Sequence, residues 1–395
     1  MKLPRLRLAR AFGLGLATIW LAGACAPAPA APPAAAPAAP TTPATSSAPA
    51  TPNAGTSAQA TGAAPAASKP ALATAPLLTL KVGVLPVTSW APLFIGQERG
   101  YFQEVGLDLD VSSFPNYATQ VPLLAQGQLH VAGCSNAVIC YNAFGRDLDI
   151  RIVDDLQSAG KTEKSRGSGG LVVRQDLWDD GTIRGPQDLV GRNLYTQAGP
   201  GSGQHAQGIH WLKRAGVDPT SMDWPMLTFP DLFAAMQNKG AEVGFQSEPF
   251  TTLGISRGVH RLLASQEEMD PNTQVTYVMY WTGIDQLGPQ AGERFLVAFQ
   301  RGGRDFTNAM EYGVDEDAII DVLTRETTLK DPAIYRQIKY PWRDPNGVVN
   351  REALQADADL FADAGLMPKT DISGAFEDKY RRFSVDYLGE YQPPR

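Results

Sequence analysis

The chain has 395 residues, 43% hydrophobic, 19% charged and 9% aromatic, a composition that excludes a collagen, a polytopic membrane protein and a wholly disordered chain. Residues 1–78 contain no Asp or Glu and only five basic residues, so the remaining 317 hold 29 Lys and Arg against 41 Asp and Glu, a net charge of −12. A globular part that acidic argues against nucleic-acid binding, which needs a concentrated basic face to displace counterions.

The N-terminus reads as an address. Met1–Arg10 carries four positive charges, and Ala11–Ala24 is a fourteen-residue apolar run. That is short of the roughly twenty residues needed to span a bilayer, so 1–24 reads as a secretory signal peptide. Leu21-Ala-Gly-Ala-Cys25 resembles a bacterial lipobox, with Ala22 where Leu is usual. The resemblance implies lipid on Cys25 and a membrane anchor; an ordinary signal cut before an unmodified Cys25 is the alternative. Residues 25–78 are Ala, Pro, Thr, Ser and Gly almost throughout, with twelve of the chain's 31 prolines between 26 and 78. Such a segment buries too little apolar surface to offset its chain entropy and reads as an extended tether.

The pattern changes at Leu80. The run 80–86 closes on Pro86 and reads as a buried strand, followed by a helix over 89–99 and an alternating strand over 107–111. A helix over 117–126 with Pro122 in its first turn precedes a strand at 129–132. Strands alternating with helices predict an α/β fold with a mainly parallel sheet. A faint repeat supports two such units: 124–136 and 236–248 each pair a helix ending near Gly with a short apolar strand and a polar loop. Two units imply two lobes with a cleft between them, assigned as 79–174 plus 275–395 and 175–274. Ligands of open α/β sheets sit beyond the carboxyl ends of strands, which places the candidate site in the loops near 87–92, 114–117, 133–136, 197–205 and 246–249.

Several residues then resemble a known family. Val82-Gly-Val-Leu-Pro86, Ala91-Pro-Leu-Phe-Ile95 and Gly100-Tyr-Phe-Gln-Glu-Val-Gly-Leu-Asp108 are similar to the opening of extracytoplasmic solute-binding proteins. The group serves ABC importers of nitrate, taurine, alkylsulfonates, thiamine-precursor pyrimidines and riboflavin. Leu189–Leu194, Gly199-Pro-Gly-Ser-Gly203 and Glu248-Pro-Phe250 continue the similarity, with Ser247 where the family commonly has Trp. The resemblance implies a two-lobed type II periplasmic-binding-protein fold and hinge closure on a small molecule. It also implies permease and ATPase partners for a monomer that is not an enzyme and uses no cofactor. A pyrimidine-synthase enzyme on the same scaffold and a ligand-sensing surface lipoprotein are the competing readings.

Candidate ligand residues follow from the loops. Gly201, Ser202, Gly203, Gln204 and His205 open a helix after a strand, where glycines admit close approach and the helix start favours negative charge. Asn116, Tyr117, Ser135, Asn136, Gln197, Ser247 and Glu248 complete the polar set, and Trp90 and Tyr280 are candidate stacking surfaces. Glu248 is expected to accept from a ligand N–H; the alternative is a carboxylate at a helix N-terminus. With Glu248 as the one charge, these loops suit a planar, vitamin-like heterocycle better than a bare anion. The four histidines show no metal-ligand spacing and no nucleophile elbow is present. Ala159-Gly-Lys-Thr162 lacks the first glycine of a phosphate loop, its place being taken by Asp155. Cys134 and Cys140, six apart, are read as two small buried hydrophobes in preference to a disulfide.

Overall fold

The computed structural model describes residues 69–73 and 76–395. The signal peptide, Cys25 and nearly all of the proposed tether lie outside the described residues. Among the described residues, no helix is long and apolar enough to cross a membrane.

Among the described residues, nine strands form two sheets. In chain order they are β1 (Leu78–Val84), β2 (Leu107–Ser113), β3 (Val131–Ser135), β4 (Ile150–Ser158), β5 (Gly169–Arg174), β6 (Leu194–Tyr195), β7 (Val243–Ser247), β8 (His260–Ser265) and β9 (Gln274–Trp281). The first sheet has the order β2-β1-β3-β9-β4 and the second β6-β7-β5-β8. The chain crosses between lobes twice, over 159–168 and 270–273, and residues after β9 return to cover the first sheet with helices. Strand β5, expected in the first lobe, pairs with β7 and β8 and belongs to the second. The tether ends earlier than expected: Leu78 opens β1, Leu72 packs on the core, and the Ala73 N–H donates to Gln290 Oε1 at 2.5 Å.

The α/β expectation holds, but the sheets are mixed where a mainly parallel sheet was expected. β1 pairs parallel with β2 and β3, and β6 with β7, whereas β5 and β9 run antiparallel to both of their neighbours. The reason is topological. Each of those two strands follows a crossing segment, so it enters its lobe at the cleft and runs away from it, against strands that run toward it.

The two halves of the repeat occupy equivalent places. Leu124 closes one helix before β3, Met236 closes another before β7, and both strands are buried up to their last residue. Pro122 sits in the first turn of the Val121–Ala125 helix, where its missing N–H costs no hydrogen bond.

Behind the cleft lies a buried ionic network. Arg343 is 1% exposed, and its Nη2 donates to Asp154 Oδ1 at 3.2 Å and to the Asp155 carbonyl at 3.3 Å. Gln300 donates to Asp154, while Gln274 and the Asp344 N–H donate to Asp155. Burial raises both carboxyls, that of Asp155 to about 7, against the lowering pull of these donors and of Arg343. A raised carboxyl stabilises the fold below its unfolded value of 3.8, and that contribution is lost as pH rises through the folded value. Arg343→Leu removes the one cation among these groups and is expected to cost about 3–5 kcal/mol. The loss of melting temperature should be larger at pH 8 than at pH 5, which thermal melts at the two values measure.

Candidate functional site

The cleft closes around a cavity with about 80 Å³ of room for water centres. A single water needs roughly 10–15 Å³ on that scale, so the space takes several waters or one small organic molecule. The first lobe supplies the loops after β1, β2 and β3, the end of β4 and the start of β9. The second supplies the loop after β6, the starts of the Gly203–Arg214 and Phe229–Gln237 helices, and the end of β7. Asn116, Tyr117, Ser135, Asn136, Gln197, Ser202, Gly203, Gln204 and Ser247, all expected from the sequence, line it.

The lobes touch directly above this space. The Val138 N–H donates to the Gly201 carbonyl at 2.8 Å, and Gln197 Nε2 reaches the Pro115 carbonyl at 3.4 Å. Gly201 has φ +81 and turns its carbonyl toward the first lobe, so its part is in closure and it does not line the cavity. Gly203 has no room for a side chain, because a Cβ there would overlap Asn136 Oδ1. Ser202 caps the helix, accepting from the His205 N–H at 3.2 Å. His205 faces inward instead: its Nδ1 accepts from the Gly201 N–H at 3.0 Å, its ring packs on Trp224, and burial lowers it to about 4. It shapes the loop as a neutral ring.

Three other expected contacts are relocated, and the expected cysteine pair is bonded. Trp90 is fully buried against Phe299 behind the Tyr117 wall. Tyr280 points into the core of the first lobe, where its hydroxyl donates to the Gly292 carbonyl at 2.9 Å between Phe295 and Tyr380. Glu248 turns away from the cavity. Its Oε2 accepts from the Thr252 N–H at 3.1 Å and its Oε1 from the Thr252 hydroxyl at 2.8 Å, the arrangement of a carboxylate at a helix start. Cys134 and Cys140 are joined as a disulfide, not left as two thiols, and the bond brackets the Ser135-Asn136 loop.

Sequence reasoning missed the buried amides. Gln157, Gln207, Gln246 and Gln266, at most 6% exposed, line the cavity beside Thr276. Five buried side-chain atoms there have no hydrogen-bond partner: Asn136 Oδ1, Gln157 Nε2, Gln246 Oε1, Gln266 Oε1 and Thr276 Oγ1. A buried polar atom left unpaired costs about 1–3 kcal/mol. Five converging on one space mark the place where a ligand would complete them. Among the described residues, no Asp, Glu, Lys, Arg or His lines the cavity. Tyr117, Phe229 and Phe245 supply its aromatic wall, the Tyr117 phenol being pushed up to about 12 by burial. The signal was present in the sequence. Register within the repeat aligns Gln246 with Cys134, and Gln157 opposes Thr276 across the β4–β9 pair.

Among the described residues, His210, Asp270 and Asp357 bring their ligand atoms within 4.8 Å of one another, at the hinge side of the cleft. Both Asp357 oxygens are already engaged, one by Asn136 Nδ2 and the other by His210 Nε2 at 3.2 Å. The group therefore reads as a hydrogen-bonded chain.

Two predictions separate structural from recognition roles. Burial raises Glu248 from 4.5 to about 8, so its contribution to stability is present below 4.5 and lost as pH rises through about 8. Glu248→Gln should flatten the dependence of melting temperature on pH across that window and leave solute affinity unchanged. A fall in affinity without change in the melting profile would return Glu248 to the ligand. Gly203→Ala should hinder closure by its clash with Asn136. A largely unchanged apo melting curve with at least tenfold weaker retention of the co-purified solute is the expected result.

Comparison with known proteins agrees with this architecture. The structure superimposes on the alkanesulfonate-binding protein SsuA of Xanthomonas axonopodis pv. citri with a TM-score of 0.62 at 17% identity, covering 77% of this chain and 100% of that one. The periplasmic nitrate-binding protein NrtA of Synechocystis PCC 6803 gives 0.61 at 14% identity, over 79% and 89%. The "Putative binding protein YtlA" of Bacillus subtilis (strain 168) is 23% identical over 308 residues, 73% of this chain and 85% of that protein. The fold is thus that of the two-lobed type II periplasmic binding proteins. The NMT1/THI5-like family matches residues 87–309, more than half of the chain, and the protein belongs to that family.

Proposed function

We propose that the protein is the substrate-binding component of an ABC importer, held outside the cytoplasmic membrane by lipid on Cys25. It would capture one small solute between its lobes and release it to a permease. Family membership and the periplasmic-binding-protein fold support the binding role. The observation that carries the ligand reading is the ring of unpaired amides in an uncharged cavity.

The chemistry of that ring narrows the solute. The unpaired atoms are the acceptors Asn136 Oδ1, Gln246 Oε1 and Gln266 Oε1, the donor Gln157 Nε2 and the Thr276 hydroxyl, a set that matches a molecule with several N–H donors and at least one acceptor. A permanent charge would lie in the cavity without a counter-charge, at a desolvation cost that neutral hydrogen bonds repay poorly. The narrow space between Tyr117 and the two phenylalanines favours a flat single ring over the larger riboflavin. An uncharged one-ring heterocycle of the thiamine-precursor pyrimidine kind fits best, ahead of sulfonate, taurine or nitrate.

Mass spectrometry of the solute released by denaturing the purified protein tests the class directly; recovery of a sulfonate or nitrate would refute the heterocycle. Gln157→Leu and Gln266→Leu replace a buried amide that carries an unpaired atom by an apolar group of similar volume. Each is expected to weaken binding of that recovered solute about tenfold, on the scale of a lost neutral hydrogen bond. Apo stability should hold or rise, since the substitution also removes an unsatisfied group. Lower apo stability with unchanged affinity would move the site elsewhere.

A further inference from the structure

The Arg351–Asp363 helix lies beyond the segment matched by the family and packs against the Val138–Gly145 helix of the first lobe and the Gly203–Arg214 helix of the second. Asp357 sits at the point where the three meet, 1% exposed. Asn136 comes from the first lobe and lines the cavity; His210 lies two turns into the second-lobe helix whose first residues line the same cavity. We propose that Asp357 is a positioning residue that couples recognition to closure. One of its carboxylate oxygens fixes Asn136 at the cavity wall, and the other clasps His210 on the opposing lobe. The inference rests on the reading of the cleft as a solute site, but its test does not use the solute.

The geometry gives each bond a task. Asn136 spends its Nδ2 on Asp357, which sets the amide plane and leaves Oδ1 as an unpaired buried acceptor. That oxygen also abuts Gly203, so the amide is held between the C-terminal helix and the start of the second-lobe helix. Opening the lobes would carry His210 away from Asp357 while Asn136 stayed in place. The clasp is therefore made in the closed state, and it biases the empty protein toward closure. Sequence spacing could not show it, because Asn136 and Asp357 are 221 residues apart.

The clasp should respond to pH. The hydrogen bond to Asp357 raises His210, with Asp270 of the crossing segment acting in the same direction and Arg214 on its own helix opposing. Asp357 is itself pushed up by burial, against the pull of His210 and Asn136, and Tyr141 and Tyr277 face it as neutral phenols. The charged imidazole holds the carboxylate more strongly than the neutral ring. Closure bias is thus fullest below the ordinary imidazole value and is lost as pH rises through the raised one.

Two measurements on the full chain test this. The chain has four histidines, three of them lowered or buried, so NMR can follow each ring. His210 should titrate above the ordinary range in the wild type and within it in Asp357→Asn. Hydrogen exchange then reads opening, with intrinsic rates corrected for pH. Peptides covering 136–141 and 201–206, which include the Val138–Gly201 bond, should exchange roughly two- to tenfold faster in His210→Gln and in Asp357→Asn. The wild type at about pH 8.5 should approach the His210→Gln rates, while β1 and β7 stay protected under all conditions. Unchanged rates in both variants would overturn the clasp, as would faster exchange spread through β1 and β7. A shift of the His210 signals on adding micromolar Zn²⁺ would also overturn it, by assigning the carboxylate to a metal instead.

Discussion

The structure turns on the requirement that a polar group removed from water must find a partner. At several buried ionisable groups the chain supplies partners from within. Arg343 lies against Asp154 and Asp155, Asp357 between Asn136 and His210, and Glu248 on the first turn of its own helix. Between the lobes, four neutral amides and one hydroxyl that line the cavity stay incomplete. The placement is economical in physical terms. Leaving a buried charge unpaired costs about 3–5 kcal/mol, a large share of a domain's stability, whereas an unpaired amide costs about 1–3 kcal/mol. A solute that satisfies them recovers that free energy on binding.

That cost also explains why the cavity and the hinge belong together. An open cleft would expose the amides to water and relieve the penalty, so the empty protein gains hydration by opening and loses interlobe contacts in doing so. On the closing side, the backbone bond from Val138 to Gly201, the Gln197 reach to Pro115 and the Asp357 bridge add to apolar packing in which Phe229, Phe233 and Phe250 of the second lobe join the core of the first. Hydrogen bonds that a bound molecule makes to both lobes exist in the closed state alone, and they shift the equilibrium toward it. Closure and recognition draw on the same loops, and the glycines at 201 and 203 let backbones meet where side chains would hold the lobes apart.

How far the sequence could be read follows from how local each determinant is. The strand–helix alternation, the repeat and the cleft loops were legible because each depends on residues close in the chain, and β1, β2 and β3 lie near their expected positions. Strand direction in β5 and β9 was not, since it depends on which lobe the chain has just left. Side-chain direction failed for a related reason. Tyr280 and Trp90 stand next to cleft loops in sequence, but Tyr280 faces the covering helices and Trp90 sits a layer below Tyr117. The buried glutamines lay in apolar strands and helix starts, where attention to loops alone passes over them.

Glu248 shows the limit of arguing by repeat. The alignment of Asn136 with Glu248 is structurally sound, because both follow the strand that ends at the cavity. What differs is the element each meets next. Asn136 finds Asp357 from a distant helix, which turns its amide along the cavity wall; Glu248 finds the N–H and hydroxyl of Thr252 four residues on. Burial favours the neutral form of Glu248, and the group takes its partners from the start of its own helix, the nearest available. The amide, which carries no charge to neutralise, can leave one oxygen free. In two equivalent loops, then, the amide is the one left available to a ligand, in a cleft lined by glutamines with Asp154, Asp155 and Arg343 set behind it.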